Sequence, residues 1–337
     1  MHVAIYGAGS LGTILGAYLA KNGSPVDLIN HNKAHVDALN AHGAKVVGKV
    51  DFVVAVRALL PQEMSEPYDV VFLLTKQLDN KAVVQSLLPF LKPDGTLCTM
   101  QNGLPEPGIA EIVGEDRVMG CAIAWGATML EPGVCELTSE PDTLTFSLGK
   151  LQGKPDQRLL EVKSLLELMG PVVVEENFLG ARWAKLLVNA AFSGMSTVLG
   201  CTFGEVSADK RARLCAQKII KECIEVAHAA GVTIEPIQGK DIVRLFDYHS
   251  MLKQKISFML IPLAMKKHRM LKPSMLQDLQ KGKPCEIDAI NGVVSAIGKK
   301  FQVPTPYNDL VVEIVHGIEA GKGSPSMHNL DRFATLS

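Results

Sequence analysis

Six residues near the N-terminus, Gly7-Ala8-Gly9-Ser10-Leu11-Gly12, decide the architecture of the first half of this chain. They follow the apolar run His2–Tyr6 directly and open a helix-forming run, Leu11–Asn22. A strand that ends in such a turn and feeds a helix begins a βαβ unit that binds a dinucleotide. Gly7 permits the tight reversal, Gly9 lets a pyrophosphate approach the backbone, and Gly12 lets the helix lie close on the strand. Ala8, Ser10 and Leu11 complete a loop whose N–H groups and helix dipole face the phosphates. A purely structural glycine turn is the competing reading, and the strand–loop–helix context favours the cofactor loop.

The alternation continues. Pro25–Asn30, Val70–Leu74, Thr96–Thr99 and Val118–Ala122 are short apolar runs of the kind that parallel strands buried on both faces require. Lys33–Ala41, Asn80–Leu91 and Pro107–Val113 between them read as helices, so the series predicts an α/β doubly wound, Rossmann-type sheet. Glu131-Pro132-Gly133 reads as a turn between two alternating runs, Val134–Thr138 and Thr143–Leu148, expected to extend that sheet in antiparallel fashion. A helix over Asp156–Met169 and a strand over Val172–Glu176 close an N-terminal domain spanning 1–176.

Beyond Asn177 the strand signal stops. Segments 180–199, 205–230, 238–247, 250–266, 286–301 and 307–320 read as helices, with Gly231 and the Pro304–Pro306 pair as stops. The expectation is an all-α domain over 177–320 and a loosely held tail over 321–337. The run Lys266-Lys267-His268-Arg269 reads as a solvated face. No apolar stretch reaches the ~20 residues of a membrane span, and no basic region with an apolar core marks a signal peptide, so no membrane partner is expected.

The 34 Lys and Arg nearly balance the 35 Asp and Glu. A net charge of -1 leaves no excess to neutralise a phosphate backbone, which argues against a nucleic-acid partner. Seven cysteines, an odd number with no C-x-x-C spacing, read as reduced thiols of a cytoplasmic protein with no metal site.

Cofactor choice falls to the tip of the second strand, Leu28-Ile29-Asn30-His31-Asn32-Lys33. An NAD-type ribose wants a carboxylate there and a 2′-phosphate wants positive charge. Asp27 lies too early and should point into the layers of the domain, so His31 and Lys33 favour NADP. Two loops at the same sheet edge, Thr75-Lys76-Gln77 and Gln101-Asn102-Gly103, offer Lys76 for the ribose or the substrate and the Asn102 amide for nicotinamide or substrate. In the helical half, Lys185, Asn189 and Ser193 recur at i, i+4 and i+8 within an otherwise apolar helix. A lysine in such a helix is costly unless it faces a cleft, and partial desolvation moves an amine toward proton transfer. Glu286 and Asp288 both begin an apolar helix, where helix capping competes with a role in chemistry.

These pieces together resemble the ketopantoate reductase (2-dehydropantoate 2-reductase) family over about residues 1–320. The resemblance is carried by GAGSLG at 7–12, Thr75-Lys76, QNG at 101–103, Trp183-x-Lys185-Leu186-x-x-Asn189, SMLQD at 274–278 and EIDAING at 286–292. It implies NADPH-dependent reduction of ketopantoate to D-pantoate, in pantothenate and coenzyme A biosynthesis, in a cleft between the two domains. It further implies Lys185 as general acid, Glu286 as its acidic partner, Asn102 as a cofactor and substrate contact, and Ser274 as a ligand of the substrate carboxylate. Ser193 and Leu271 stand where family members acting on ketopantoate often carry polar residues, one of them a second asparagine. His31 stands where an arginine is often seen. The first two departures motivate an alternative substrate, another branched or aromatic 2-oxo acid; a non-catalytic NADP-binding regulator is the third reading. Helical domains of this family often pair, so a homodimer is one expectation, although no residue pattern in the sequence selects it.

Overall fold

A computed structural model describes residues 1–237 and 239–336. The chain divides into two compact units, Met1–Gln101 with Pro105–Phe178, and Asn102–Leu104 with the residues from Leu179 onward.

The first unit opens with β1 (Val3–Tyr6), α1 (Ser10–Lys21), β2 (Val26–Ile29) and α2 (Lys33–His42). Three short strands follow, β3 (Ala44–Gly48), β4 (Phe52–Val54) and β5 (Arg57–Leu59). Next come β6 (Tyr68–Leu73), α3 (Asn80–Leu87), β7 (Leu91–Thr99), α4 (Glu106–Val113) and β8 (Val118–Ile123). The unit ends with β9 (Ala127–Glu131), β10 (Val134–Leu137), β11 (Phe146–Lys150), α5 (Gln157–Leu166) and β12 (Val172–Val174). Eight of these strands form one sheet in the order β12-β11-β8-β7-β6-β1-β2-β5, parallel throughout except where β11 meets β8. Alternate side chains feed two cores. Val3, Ile5, Val70 and Phe72 pack on one face, and Ala4, Val71, Leu73 and Leu97 on the other. Strand order reverses at β1, whose neighbours are β2 and β6, and the crevice above a reversal is where open α/β sheets receive ligands.

The hairpin differs from expectation. The turn at Glu131–Gly133 joins β9 to β10, and both belong to a separate four-stranded sheet, β4-β3-β10-β9; only β11 extends the main sheet. The cause is β3, which pairs in parallel with β10 and buries Ala44 and Val46. Its Lys45 and terminal Gly48 hide the strand from an apolar-run reading.

The second unit is helical: α6 (Phe178–Val188), α7 (Met195–Leu199), α8 (Phe203–Ala208), α9 (Lys210–Ala229), α10 (Ile242–Phe246) and α11 (Met251–Ala264). Then come α12 (Ser274–Gln280), α13 (Val293–Phe301), α14 (Pro306–Glu319) and α15 (Leu330–Phe333). Two π-helical segments interrupt it, Asn189–Gly194 between α6 and α7 and Asp288–Gly292 before α13. The helix expected over 205–230 is two, because Asp209 is extended and its carboxylate caps α9 by accepting from Arg211 N–H and Ala212 N–H at 2.9 Å each. The helix expected over 238–247 begins only at Ile242; its first residue, Gln238, lies outside the described residues. The tail is not loosely held. Leu330 and Phe333 bury themselves in the helical core, Asn329 Nδ2 donates to Val198 O at 2.9 Å, and Ser337 lies outside the described residues. Among the described residues no helix is long and apolar enough to cross a membrane.

Candidate functional site

In the first unit the glycine loop has the shape that a pyrophosphate needs. Gly7 adopts φ 94°, and a Cβ there would sit 2.5 Å from Thr75 N, so the loop after β1 lies directly against the loop after β6. A Cβ on Gly12 would meet Gly7 O and Ile5 Cγ2 at 2.9 Å, which is the close helix–strand approach. Gly9 is the opposite case: a Cβ would meet nothing nearer than Gly7 O at 4.0 Å, leaving open space over the N-terminus of α1. No side chain caps that terminus, and no acidic residue stands in its first turn to repel a phosphate. The residues present therefore fit a dinucleotide.

Three donors converge on one carbonyl to hold this loop. Ala8 O accepts from Asn30 Nδ2 at 2.7 Å, Thr13 Oγ1 at 3.1 Å and His35 Nε2 at 3.1 Å. His35 Nδ1 accepts from Gly133 N–H at 3.0 Å, which puts the ring proton on Nε2 and fixes the neutral tautomer. Burial pushes the imidazole pKa down. Neither Asn30 nor His35 announced this role in the sequence, because its meaning depends on Ala8 and Gly133.

At the tip of β2, Asn30 is fully engaged: its Nδ2 holds Ala8, and its Oδ1 accepts from Asn32 N–H at 2.8 Å. His31 is exposed beside it. Lys33 is exposed too, and its Nζ donates to both Asp37 oxygens at 2.8 Å, an exposed pair that an incoming phosphate can displace at little cost. Asp27 points inward as expected, accepting from Tyr68 OH at 2.8 Å. On the next loop Lys76 is exposed, and buried Gln101 ties the loop to the end of β7. Its Nε2 donates to Thr75 O at 2.8 Å and Asn80 Oδ1 at 2.9 Å, while its Oε1 accepts from Thr99 Oγ1 at 2.9 Å.

In the second unit Lys185 is half-buried on a helix whose Trp183, Leu186, Leu187 and Ala190 are almost wholly buried. Asn189 is half-buried and Ser193 buried, and both belong to the π-helical segment. An α-helix carries position i+8 about 80° round from i. The wider i→i+5 turn takes back part of that drift, so Ser193 stays closer to the Lys185 line than an unbroken helix would hold it. The second π-segment packs against the first, as does α12. Ser274, exposed at the start of α12, thus lies on an element that meets the one bearing Asn189 and Ser193, and half-buried Glu286 lies two residues before the second π-segment. Asp288, the competitor of Glu286, is exposed and engaged by His316 Nε2 at 2.9 Å. Asn102 belongs to this unit as well, next to Leu104, which packs in its core.

Behind the π-segments runs a buried polar chain. Asn291 Nδ2 donates to Ala190 O at 3.1 Å and to Asn308 Oδ1 at 2.9 Å, and Asn308 Nδ2 donates to Glu222 Oε2 at 2.7 Å. Glu222 also accepts from Tyr307 N–H and Asn308 N–H at the start of α14. Burial still pushes its carboxyl up to about 7. Arg182, wholly buried one turn before Lys185, likewise carries no signal in the sequence.

Residues 3–150 match the family described as ketopantoate reductase PanE/ApbA, and residues 177–319 match its C-terminal part. A 2-dehydropantoate 2-reductase of Pyrococcus horikoshii is 28% identical over 329 residues, covering 96% of this chain and all of the relative. Among solved structures, a PanE/ApbA family ketopantoate reductase from Ralstonia eutropha JMP134 superposes with a TM-score of 0.81 at 25% identity, covering 96% of this chain and 99% of that one. A D-mandelate dehydrogenase solved with NADH and anilino(oxo)acetate has the same fold, with a TM-score of 0.81 at 24% identity over 96% of this chain and 99% of that one.

Proposed function

The chain belongs to the ketopantoate reductase family, and from that premise we propose that it reduces 2-dehydropantoate to D-pantoate with NADPH. The observation that carries this reading is Lys185, a half-buried cation in a helix of buried neighbours, in a chain whose glycine loop fits a dinucleotide. When bound, the dinucleotide supplies a hydride to the C2 carbonyl carbon. Lys185 holds a proton on Nζ, stabilises the charge growing on the carbonyl oxygen, and delivers the proton there. Glu286 orients that ammonium, Asn189 and Ser193 hold the body of the substrate, Ser274 receives its carboxylate, and Asn102 contacts cofactor and substrate. His31 and Lys33 take the 2′-phosphate, and Lys76 the ribose. Seven buried thiols with no disulfide fit a reducing, cytoplasmic setting.

A second reading, reduction of another branched or aromatic 2-oxo acid, is favoured by Ser193 and Leu271. Both readings are tested by NADPH and NADH oxidation with a panel of 2-oxo acids. Ketopantoate should give the highest kcat/KM, and Lys185→Ala should lower kcat by ~10²-fold or more. A better competitor selects the second reading, and undiminished turnover in the variant removes Lys185 as the proton donor.

A further inference from the structure

Glu286 belongs to the stretch between the end of α12 and the π-segment that begins at Asp288. Its neighbours Cys285 and Ile287 are buried in the helical core, and Glu286 is half-buried between them. The last turn of α14 holds this stretch at both ends. Glu319 Oε1 accepts from Cys285 N–H at 2.9 Å, and Glu319 Oε2 lies 3.0 Å from His316 Nδ1. On its other side His316 Nε2 lies 2.9 Å from Asp288 Oδ1. An ionised carboxylate only accepts, and a neutral imidazole carries a single N–H. Both contacts are therefore hydrogen bonds only while the ring is an imidazolium.

We propose that His316 is a positioning residue for the reduction, its charged form holding Glu286 in place through Glu319 and Asp288. The inference rests on the role proposed above for Glu286. Residues 285–288 hang from one turn of α14, so a bond lost at either end shifts the side chain between them. A displacement of ~1 Å can cost about 10²-fold in rate. The ring's titration agrees with its geometry: burial works against the charge, but the hydrogen bonds to Glu319 and Asp288 outweigh it and raise the imidazole pKa above its ordinary value. His316 is exposed, so its proton exchanges with solvent. Other charges around α14 are engaged elsewhere. Glu222 of α9 lies at the opposite end, on Tyr307 and Asn308 N–H, and Lys221 of α9 pairs with Glu225 and Asp247. Lys299 and Lys300 of α13 are exposed next to Gly298, which abuts Thr305 ahead of α14, and Arg332 of α15 is paired with Glu313. α7 carries no charged residue. The Cys285 thiol, pushed up to about 12 by burial and by Glu319, stays protonated. Because the folded pKa of His316 lies above 6.5, the hold is complete below that pH and is lost as pH rises through the raised value.

With saturating 2-dehydropantoate and NADPH, His316→Leu should lower kcat at about pH 6 by roughly three- to tenfold, the scale of two exposed charged bonds, and leave the Kd for NADPH unchanged. The ratio of wild type to variant should fall toward one by about pH 9, where the wild type has lost the same bonds; Lys185 titrates in both proteins and cancels. His316→Arg, cationic at either pH, should recover most of the loss at the lower one and keep it at the higher. Independently of turnover, the Hε1 proton resonance of His316, assigned by its absence from the Arg variant, should titrate with a midpoint above about 6.5. A ratio that stays constant across this range while Glu286→Gln is impaired overturns the positioning role alone, as does a ring midpoint at or below about 6.5. Full turnover in Glu286→Gln takes Glu286 out of the site and the inference with it.

Discussion

Asn30 shows how the bonds of one side chain narrow what a loop can offer a cofactor. An NAD-type loop needs a carboxylate free at the tip of β2, and here the tip side chain is fixed on Ala8 O and Asn32 N–H. On the proposed NADPH reading, selection between cofactors falls to the next residue, exposed His31. Replacing His31 by Glu should shift the affinity ratio toward NADH by roughly tenfold, the scale of one charge change at a surface phosphate, about 1.4 kcal/mol. Fluorescence titration with each cofactor reads the ratio, and no change would assign selection to Lys33 or Lys76. Gly7, Gly9 and Gly12 were legible in the sequence because their constraint is local, a strand handing over to a helix. His35 was not, because the hydrogen bond that fixes its tautomer comes from Gly133, 98 residues away.

Among the elements, the long runs were legible and the interruptions were not. The main strands and α1 follow from apolar periodicity, whereas β3, β4 and β5 are three to five residues long, β3 and β5 carry Lys45 and Arg57, and all three are stable only as members of a sheet. The π-segments leave no trace in periodicity, yet they shape the helix that carries Asn189 and Ser193. Gly194 allows the two to meet: a Cβ there would lie 2.5 Å from Asn291 Oδ1. Gly194→Ala should push Asn291 off Ala190 O, destabilise the helical unit by about 1–3 kcal/mol and lower kcat/KM. Gly317→Ala, in the interior of α14 with nothing within 4 Å, should instead stabilise by up to about 1 kcal/mol. Thermal melts of the pair check this, and equal behaviour would mean that the π-segments tolerate separation.

For the molecule as a whole, each unit holds one buried titrating group, and these two respond to pH in opposite senses. His35 in the first unit is held neutral, its pKa pushed down by burial. Its unfolded counterpart takes a proton below about 6.5, so this contribution is complete above that pH and fades as pH falls. Glu222 in the second unit runs the other way. Burial lifts its carboxyl to about 7 against three N–H donors, with Asp309 also raising it. Because the folded pKa lies above the unfolded one, its contribution is complete below about 4.5 and is lost as pH rises through about 7. A Gln at 222 keeps the shape but cannot titrate, so the stability of the wild type relative to Glu222→Gln should decline by roughly 3 kcal/mol at most between pH 5 and 8. Chemical denaturation of both proteins across that range measures the difference. A constant difference would mean that the three donors keep the carboxylate ionised throughout, and the buried chain from Glu222 through Asn308 and Asn291 to Ala190 would then carry a fixed charge behind the π-segments rather than a titrating one.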